Sequence, residues 1–222
     1  EPDPEYLEEL EDKLVYLITE AVRNTFEAKI GVDKGHCGKE QGVGGNRRNP
    51  EGPADPDVWV IGVQDNLGRW RASLVKYALH PTFIHGESTV VTADYPCYIR
   101  MCLADAKPGI TNLFLQGTSG NQSSRYFRKG QTFEEARRVG YAIGNEAVRV
   151  LDSMKLSSEV DLFVNSKEVD IDLKKLPSKD EAIKEVARIK DYLETLRAKN
   201  APYIDIRNAE VKLLGAENLL GY

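Results

Sequence analysis

A chain of 222 residues with 41% hydrophobic and 29% charged side chains has the make-up of a globular protein able to bury a real core. Its net charge of −5 argues against a general nucleic-acid role, so basic residues that matter must act locally. No apolar run approaches the roughly 18 residues that span a membrane. Three cysteines, Cys37, Cys97 and Cys102, make no disulfide framework and point to a reducing, cytoplasmic setting.

The chain opens Glu1-Pro2-Asp3-Pro4 without Met, which reads as a processed or trimmed product. Residues 4–28 predict an amphipathic helix: Leu7, Leu10, Leu14, Leu17 and Ala21 share one face, Asp3 supplies the cap and Pro4 suits the first turn. Residues 31–56, rich in Gly and Pro, predict a long loop, functional or disordered. Val58–Val63 and Trp70–His80 predict a β-hairpin turning at Asp65-Asn66-Leu67-Gly68. A short helix is expected from Pro96 to about Asp105, then a short buried strand over Asn112–Gln116. Thr132 and Glu135 form a T-x-x-E start signal for a helix over 133–154, with Phe133, Ala136, Val139, Ile143, Val150 and Leu151 as its buried stripe. Val160–Val164 and Val169–Leu173 predict a further strand pair. Beyond Pro177, Ser178 and Glu181 form a second capping box, and two helices, to about Asn200 and over 204–220, predict a helical hairpin. The expected fold class is therefore α/β, a mixed sheet with flanking helices, with residues 1–176 as the body and 177–222 as a helical hairpin.

Three places could carry chemistry. His80 closes an apolar strand, and ligand sites collect where strand ends open onto a crevice. Neutral imidazole is a good zinc ligand, although a lone histidine is more often structural, and His36 and His85 add no metal-binding spacing. The loop "GTSGNQSS" (117–124) offers backbone N–H groups and hydroxyls to an anion or oxyanion, against the plain reading of a solvated connection. The adjacent Arg47 and Arg48 could clamp a carboxylate or carbonyl oxygen, or be exposed surface arginines; Arg125, Arg128 and Lys129 invite a similar reading on weaker grounds.

The segments "DPEYLEEL", "GVGGNRRNPEGPADPDV", "YALHPT", "TADYPCYIR", "NLFLQGTSGN" and "FEEARRVGYAIGNEAV" occur in that order. The series resembles the neutral/alkaline non-lysosomal ceramidase-like family of zinc amidohydrolases over about residues 3–152. The resemblance implies zinc as cofactor, His80 as a metal ligand and Arg47 reaching the catalytic centre. It also implies that Gly120-Asn121-Gln122-Ser123-Ser124 lines that centre, with Ser123 in the place of the family's serine. Here Asn121 stands for the family's Asp and Ser124 for its Pro. An upstream His-x-His-type element and downstream Glu and Tyr ligands, which the family also uses, have no counterpart in this chain.

The resulting expectation is a zinc-dependent hydrolase of a C–N amide or lactam bond. Ser123 and Arg47 are its catalytic groups, Arg48, Gly120 and Asn121 bind substrate, and His80 binds metal. Other chains of the same precursor supply the remaining zinc ligands, in a hetero-oligomer acting on a small-molecule amide. Asp94 is expected to cap the helix after His80 and, as a lesser role, to orient that histidine. The alternative is a non-catalytic subunit that keeps the fold. A phosphate- or nucleotide-binding module using the 117–124 loop is weaker, because the helix that should follow begins only near residue 133.

Overall fold

The computed structural model describes residues 3–85, 88–172 and 175–220. The chain divides into two compact units, Glu1–Leu162 and Phe163–Tyr222. Taken together the two hold a mixed sheet and α-helices, an α/β architecture with a C-terminal helical pair.

The first unit is built on a four-stranded sheet in the order β1-β3-β4-β5, where β1 is Ala28–His36, β3 is Asp57–Asp65, β4 is Trp70–Tyr77 and β5 is Thr111–Gln116. The β1–β3 and β3–β4 pairs are antiparallel, and β5 runs parallel to β4. A parallel pair needs a crossover, and helix α2 (Tyr95–Ala106) supplies it. A separate two-residue ribbon pairs β2 (Gly45–Asn46) with β6 (Gln122–Ser123). Helix α3 (Phe133–Ser153) packs with α2 over one sheet face, and Val58, Val60, Val75, Tyr77, Ile99, Leu103, Val139, Ile143 and Leu151 form the core between them. The two helices come close because Gly140 and Gly144 face α2. A Cβ at Gly140 would sit 2.5 Å from the Tyr98 Cβ and 2.6 Å from the Tyr95 carbonyl oxygen.

Several expectations change. The stretch read as a loop from residue 31 begins with β1, whose strand signal is hidden by Gly31 and Gly35. Gly35 lies under α3, where a Cβ would meet the Glu146 carboxylate at 2.2 Å, and Gly31 lies under the residues just after that helix, where a Cβ would meet the Lys155 carbonyl oxygen at 2.5 Å. Those glycines mark close approach of another segment to the strand, one of the uses of glycine within a sheet. Strand β4 ends at Tyr77, so His80 sits three residues beyond it. Strand β5 is not a buried strand: Leu113 and Leu115 point to solvent, more than half exposed. Residues 160–164 and 169–172 form no strand, and Leu173 lies outside the described residues; the nearest sheet contact is the Ile30–Ser157 bridge, with 2.9 Å bonds both ways. Helix α1 spans Pro4–Arg23, capped by Asp3 as expected, but none of its residues is buried and its leucine stripe stays open. At α3 only half of the capping box forms. The Thr132 hydroxyl accepts the Glu135 N–H, while the Glu135 carboxylate turns to the Lys129 N–H and the Arg138 guanidinium.

The second unit holds α4 (Lys179–Ala198) and α5 (Tyr203–Leu220). The Ser178–Glu181 capping box closes in both directions. Val186, Ile189 and Ala216 make a small core, flanked by the ion pairs Lys190–Glu217 at 2.9 Å and Arg197–Glu210 at 3.0 Å.

Candidate functional site

The parallel pairing of β4 and β5 decides what meets what. Their last paired residues are Tyr77 and Gln116, so the segment after β4 and the loop after β5 leave the same sheet edge. The Gly117 N–H donates to the Tyr77 carbonyl at 2.8 Å, and the loop then turns back until the Gln122 carbonyl accepts the His80 N–H at 3.4 Å. On its other side the same loop pairs with β2, and the Arg47 N–H donates to the Asn121 carbonyl at 2.8 Å. Three segments far apart in sequence thus form one surface at the carboxyl end of a parallel strand pair, where α/β sheets bind ligands.

His80 lies on a strap, residues 78–84, held at several points. The Tyr95 hydroxyl donates to the Leu79 carbonyl at 2.7 Å, and one Arg128 Nη donates to the Thr82 carbonyl at 2.8 Å. Leu79 is buried against Gly44, where a Cβ would come within 2.3 Å of its methyl group. Asp94 caps α2 by accepting the Tyr95 N–H at 2.7 Å, as its position predicted. Its other oxygen accepts the N–H groups of Phe83 and Ile84 at 2.8 and 2.9 Å. Asp94 thereby anchors the strap downstream of His80. Its backbone has φ 57° and ψ −145°, a conformation nearly reserved for glycine and costing about 1–3 kcal/mol; the carboxylate's three accepted hydrogen bonds oppose that cost. The histidine is half-buried, with Nδ1 enclosed by protein and lacking a hydrogen-bond partner among the described residues.

The loop residues divide by exposure. Gly120 and Asn121 are exposed at the tip, where a side chain on Gly120 would meet nothing within 4 Å. The Asn121 amide donates to the Pro53 carbonyl at 3.1 Å. Ser123 is buried; its hydroxyl oxygen accepts the Arg125 N–H at 3.2 Å and still has a proton to give. Ser124 is fully buried, and its hydroxyl has no partner among the described residues. Arg47 is half-buried, Arg48 and Arg125 are exposed, and the three line one hollow. Arg125, read from sequence on weaker grounds, lines that hollow with Arg47 and Arg48, and the clamp made by Tyr95 and Arg128 was not foreseen. Position within the same loop was the available signal for Arg125; nothing local marks the other two.

His80 is the residue of this surface whose chemistry suits a metal ligand. An imidazole nitrogen with no hydrogen-bond partner is compatible with a histidine given over to a metal. Among the described residues, no group of three or more His, Cys, Asp or Glu side chains could hold an ion. Burial pushes the Cys37 thiol up to about 12, as expected of a reduced, buried cysteine. Among the described residues no helix is long and apolar enough to cross a membrane.

No protein-family model and no curated protein matches the chain. Solved structures do. One titled "Ceramidase complexed with C2" is 17% identical, with a TM-score of 0.48 over 57% of this chain and 22% of its own. The crystal structure of neutral ceramidase from Pseudomonas aeruginosa is 18% identical, with a TM-score of 0.53 over 64% of this chain and 25% of its own. The latter likeness establishes a ceramidase-like fold. The chain spans about a quarter of the length of that neighbour.

Proposed function

We propose that the chain is one part of a zinc-dependent amidohydrolase that cleaves a non-peptide C–N amide or lactam bond, its active site completed by other chains of the same precursor. The observation that carries this reading is the meeting of His80, the 117–124 loop and Arg47 on one surface through the His80–Gln122 and Arg47–Asn121 main-chain bonds. The ceramidase-like fold supports it from the side of architecture.

Bound zinc would supply a Lewis acid that polarises the carbonyl and brings the pKa of water to near ~7. This chain's contribution is to hold, orient and neutralise. His80 offers one ligand from a strap fixed at Leu79, Thr82, Phe83 and Ile84. Arg47 and the Ser123 hydroxyl face the oxygen on which negative charge develops; one such donor is typically worth about 10²–10³ in kcat. Arg48, Gly120 and Asn121 present the edge against which the rest of the substrate rests. A single ligand falls short of the three protein ligands usual for catalytic zinc, so partner chains complete the set.

The test joins intact mass to metal analysis on the native assembly. Stoichiometric zinc with partner chains is expected, and His80→Ala is expected to lose both the zinc and amide hydrolysis. A His80→Ala assembly that keeps its zinc overturns the assignment. A second reading, a non-catalytic subunit of the same fold, is favoured by one feature: Asn121 and Ser123 are both used to hold the loop and its neighbours together. An assembly free of zinc and inert toward amides supports that reading.

A further inference from the structure

Arg47, Arg48 and Arg125 converge on an open hollow of about 330 Å³ in which they are the lining side chains. Each of the chain's other arginines is engaged by a carboxylate, a main-chain carbonyl or an aromatic face. These three have no such partner among the described residues. The convergence is built rather than accidental. The Asn46 carboxamide oxygen accepts the N–H groups of Arg48 and Asn49 at 2.9 and 3.0 Å, fixing the turn after β2. Across the ribbon the Ser123 hydroxyl accepts the Arg125 N–H. The two turns are tied to each other by the β2–β6 pairing and the Arg47–Asn121 bond.

Gathering like charges is unfavourable unless something neutralises them. The strain is felt next door: burial first, and then the Arg125 charge, hold the Arg128 guanidinium below its ordinary range. In a chain of net charge −5 with 35 acidic residues, carboxylates for pairing are abundant, yet none is placed here. Guanidinium forks match the oxygens of carboxylates and phosphates in pairs.

We propose that Arg48 and Arg125, beside Arg47, form a subsite for an oxyanion, a carboxylate or phosphate ester, carried by the amide substrate on the far side of the bond that is cleaved. The hollow lies next to the surface assigned to chemistry: Arg47 is bonded to Asn121, and Ser123 holds Arg125. The proposal deepens the amidohydrolase reading, on which it rests for the nature of the substrate, and it makes that substrate anionic instead of a neutral lipid amide.

The test is calorimetric titration of the full native assembly with N-acetylglycine, its neutral analogue N-acetylglycinamide, and inorganic phosphate. It is repeated for the Arg48→Ala, Arg125→Ala double variant and for the double Lys variant. Both positions are exposed, so folding is not at stake. The expected result is tighter binding of an anion than of the neutral amide, weakened by added salt. The Ala variant should lose about tenfold or more, as expected for charge-assisted bonds worth about 1.5–3 kcal/mol, with partial recovery in the Lys variant. Preference for acetylglycine over phosphate identifies a carboxylate, and the reverse a phosphate ester. Equal binding of charged and neutral amides, no binding of either anion, or unchanged affinity in the Ala variant overturns the subsite. Anion binding without amide hydrolysis upholds the subsite while removing the amidohydrolase reading; hydrolysis of neutral amides with no effect of the variants does the opposite.

Discussion

The two faces of the four-stranded sheet are made of similar residues and meet opposite fates. On the inner face Val58, Val60, Val75 and Tyr77 are at most 2% exposed beneath α2 and α3. On the outer face the register lines up Val32, Ile61, Leu74 and Leu113 in one row across all four strands, and Ile30, Val63, Ala72 and Thr111 in the next. Yet Val32 is 58% and Leu113 56% exposed. Sheets that face water on one side normally alternate apolar and polar residues; here both alternations are apolar. Two packed layers are enough to make a core, so the inner face accounts for the folding of this unit. The outer face carries apolar side chains that its own folding does not use, which agrees with the proposal that further chains complete the molecule.

That contrast can be broken or sharpened at three points. The largest effect is expected at the covered face: Leu151→Ala, at a 1%-exposed position on α3, should lower unfolding free energy in denaturant by about 2–5 kcal/mol. A loss below ~1 kcal/mol would mean that the helical layer is looser than its burial implies. A middle-sized effect concerns how that layer is anchored. The Arg138 guanidinium bridges Glu135 and the Gly42 carbonyl, and, with the Lys129 N–H, holds the Glu135 carboxyl below its ordinary range despite burial. A carboxyl depressed in the folded state adds stability that is present above its unfolded value, about 4.5, and lost as pH falls through the lower folded value. Glu135→Gln should therefore be less stable than the parent at neutral pH and show a shallower loss between pH 4.5 and lower values. Parallel acid limbs would show that the pairing contributes nothing. The smallest effect on the chain itself is expected at the open face. Leu113→Asp should change its unfolding free energy by no more than about 0.5 kcal/mol but shift the native assembly toward separated chains in sedimentation. An assembly unmoved by that charge would leave the outer face without a role in association.

The parts legible from sequence are those governed over a few residues. Asp3, Asp94, Thr132 and Ser178 each cap the helix they precede, because a cap is a bond between a side chain and an N–H one to three residues away. The β3–β4 hairpin was equally readable from its turn. Strand β1 was not, since Gly31 and Gly35 look like loop residues until α3 and the residues that follow it are laid across them. The candidate site divides in the same way. His80, Arg47, Arg48, Asn121 and Ser123 stood out as residue types, but nothing near them in sequence says that they adjoin. Their meeting depends on β5 pairing parallel to β4 and on a two-residue ribbon between positions 45 and 123. Local side-chain chemistry is written in the order of residues, whereas strand pairing across forty to eighty positions is settled by which surfaces bury together. Capping and turn formation thus belong to the linear chain; the carboxyl-end surface, the arginine cluster and the uncovered sheet face come into being only when distant segments pack.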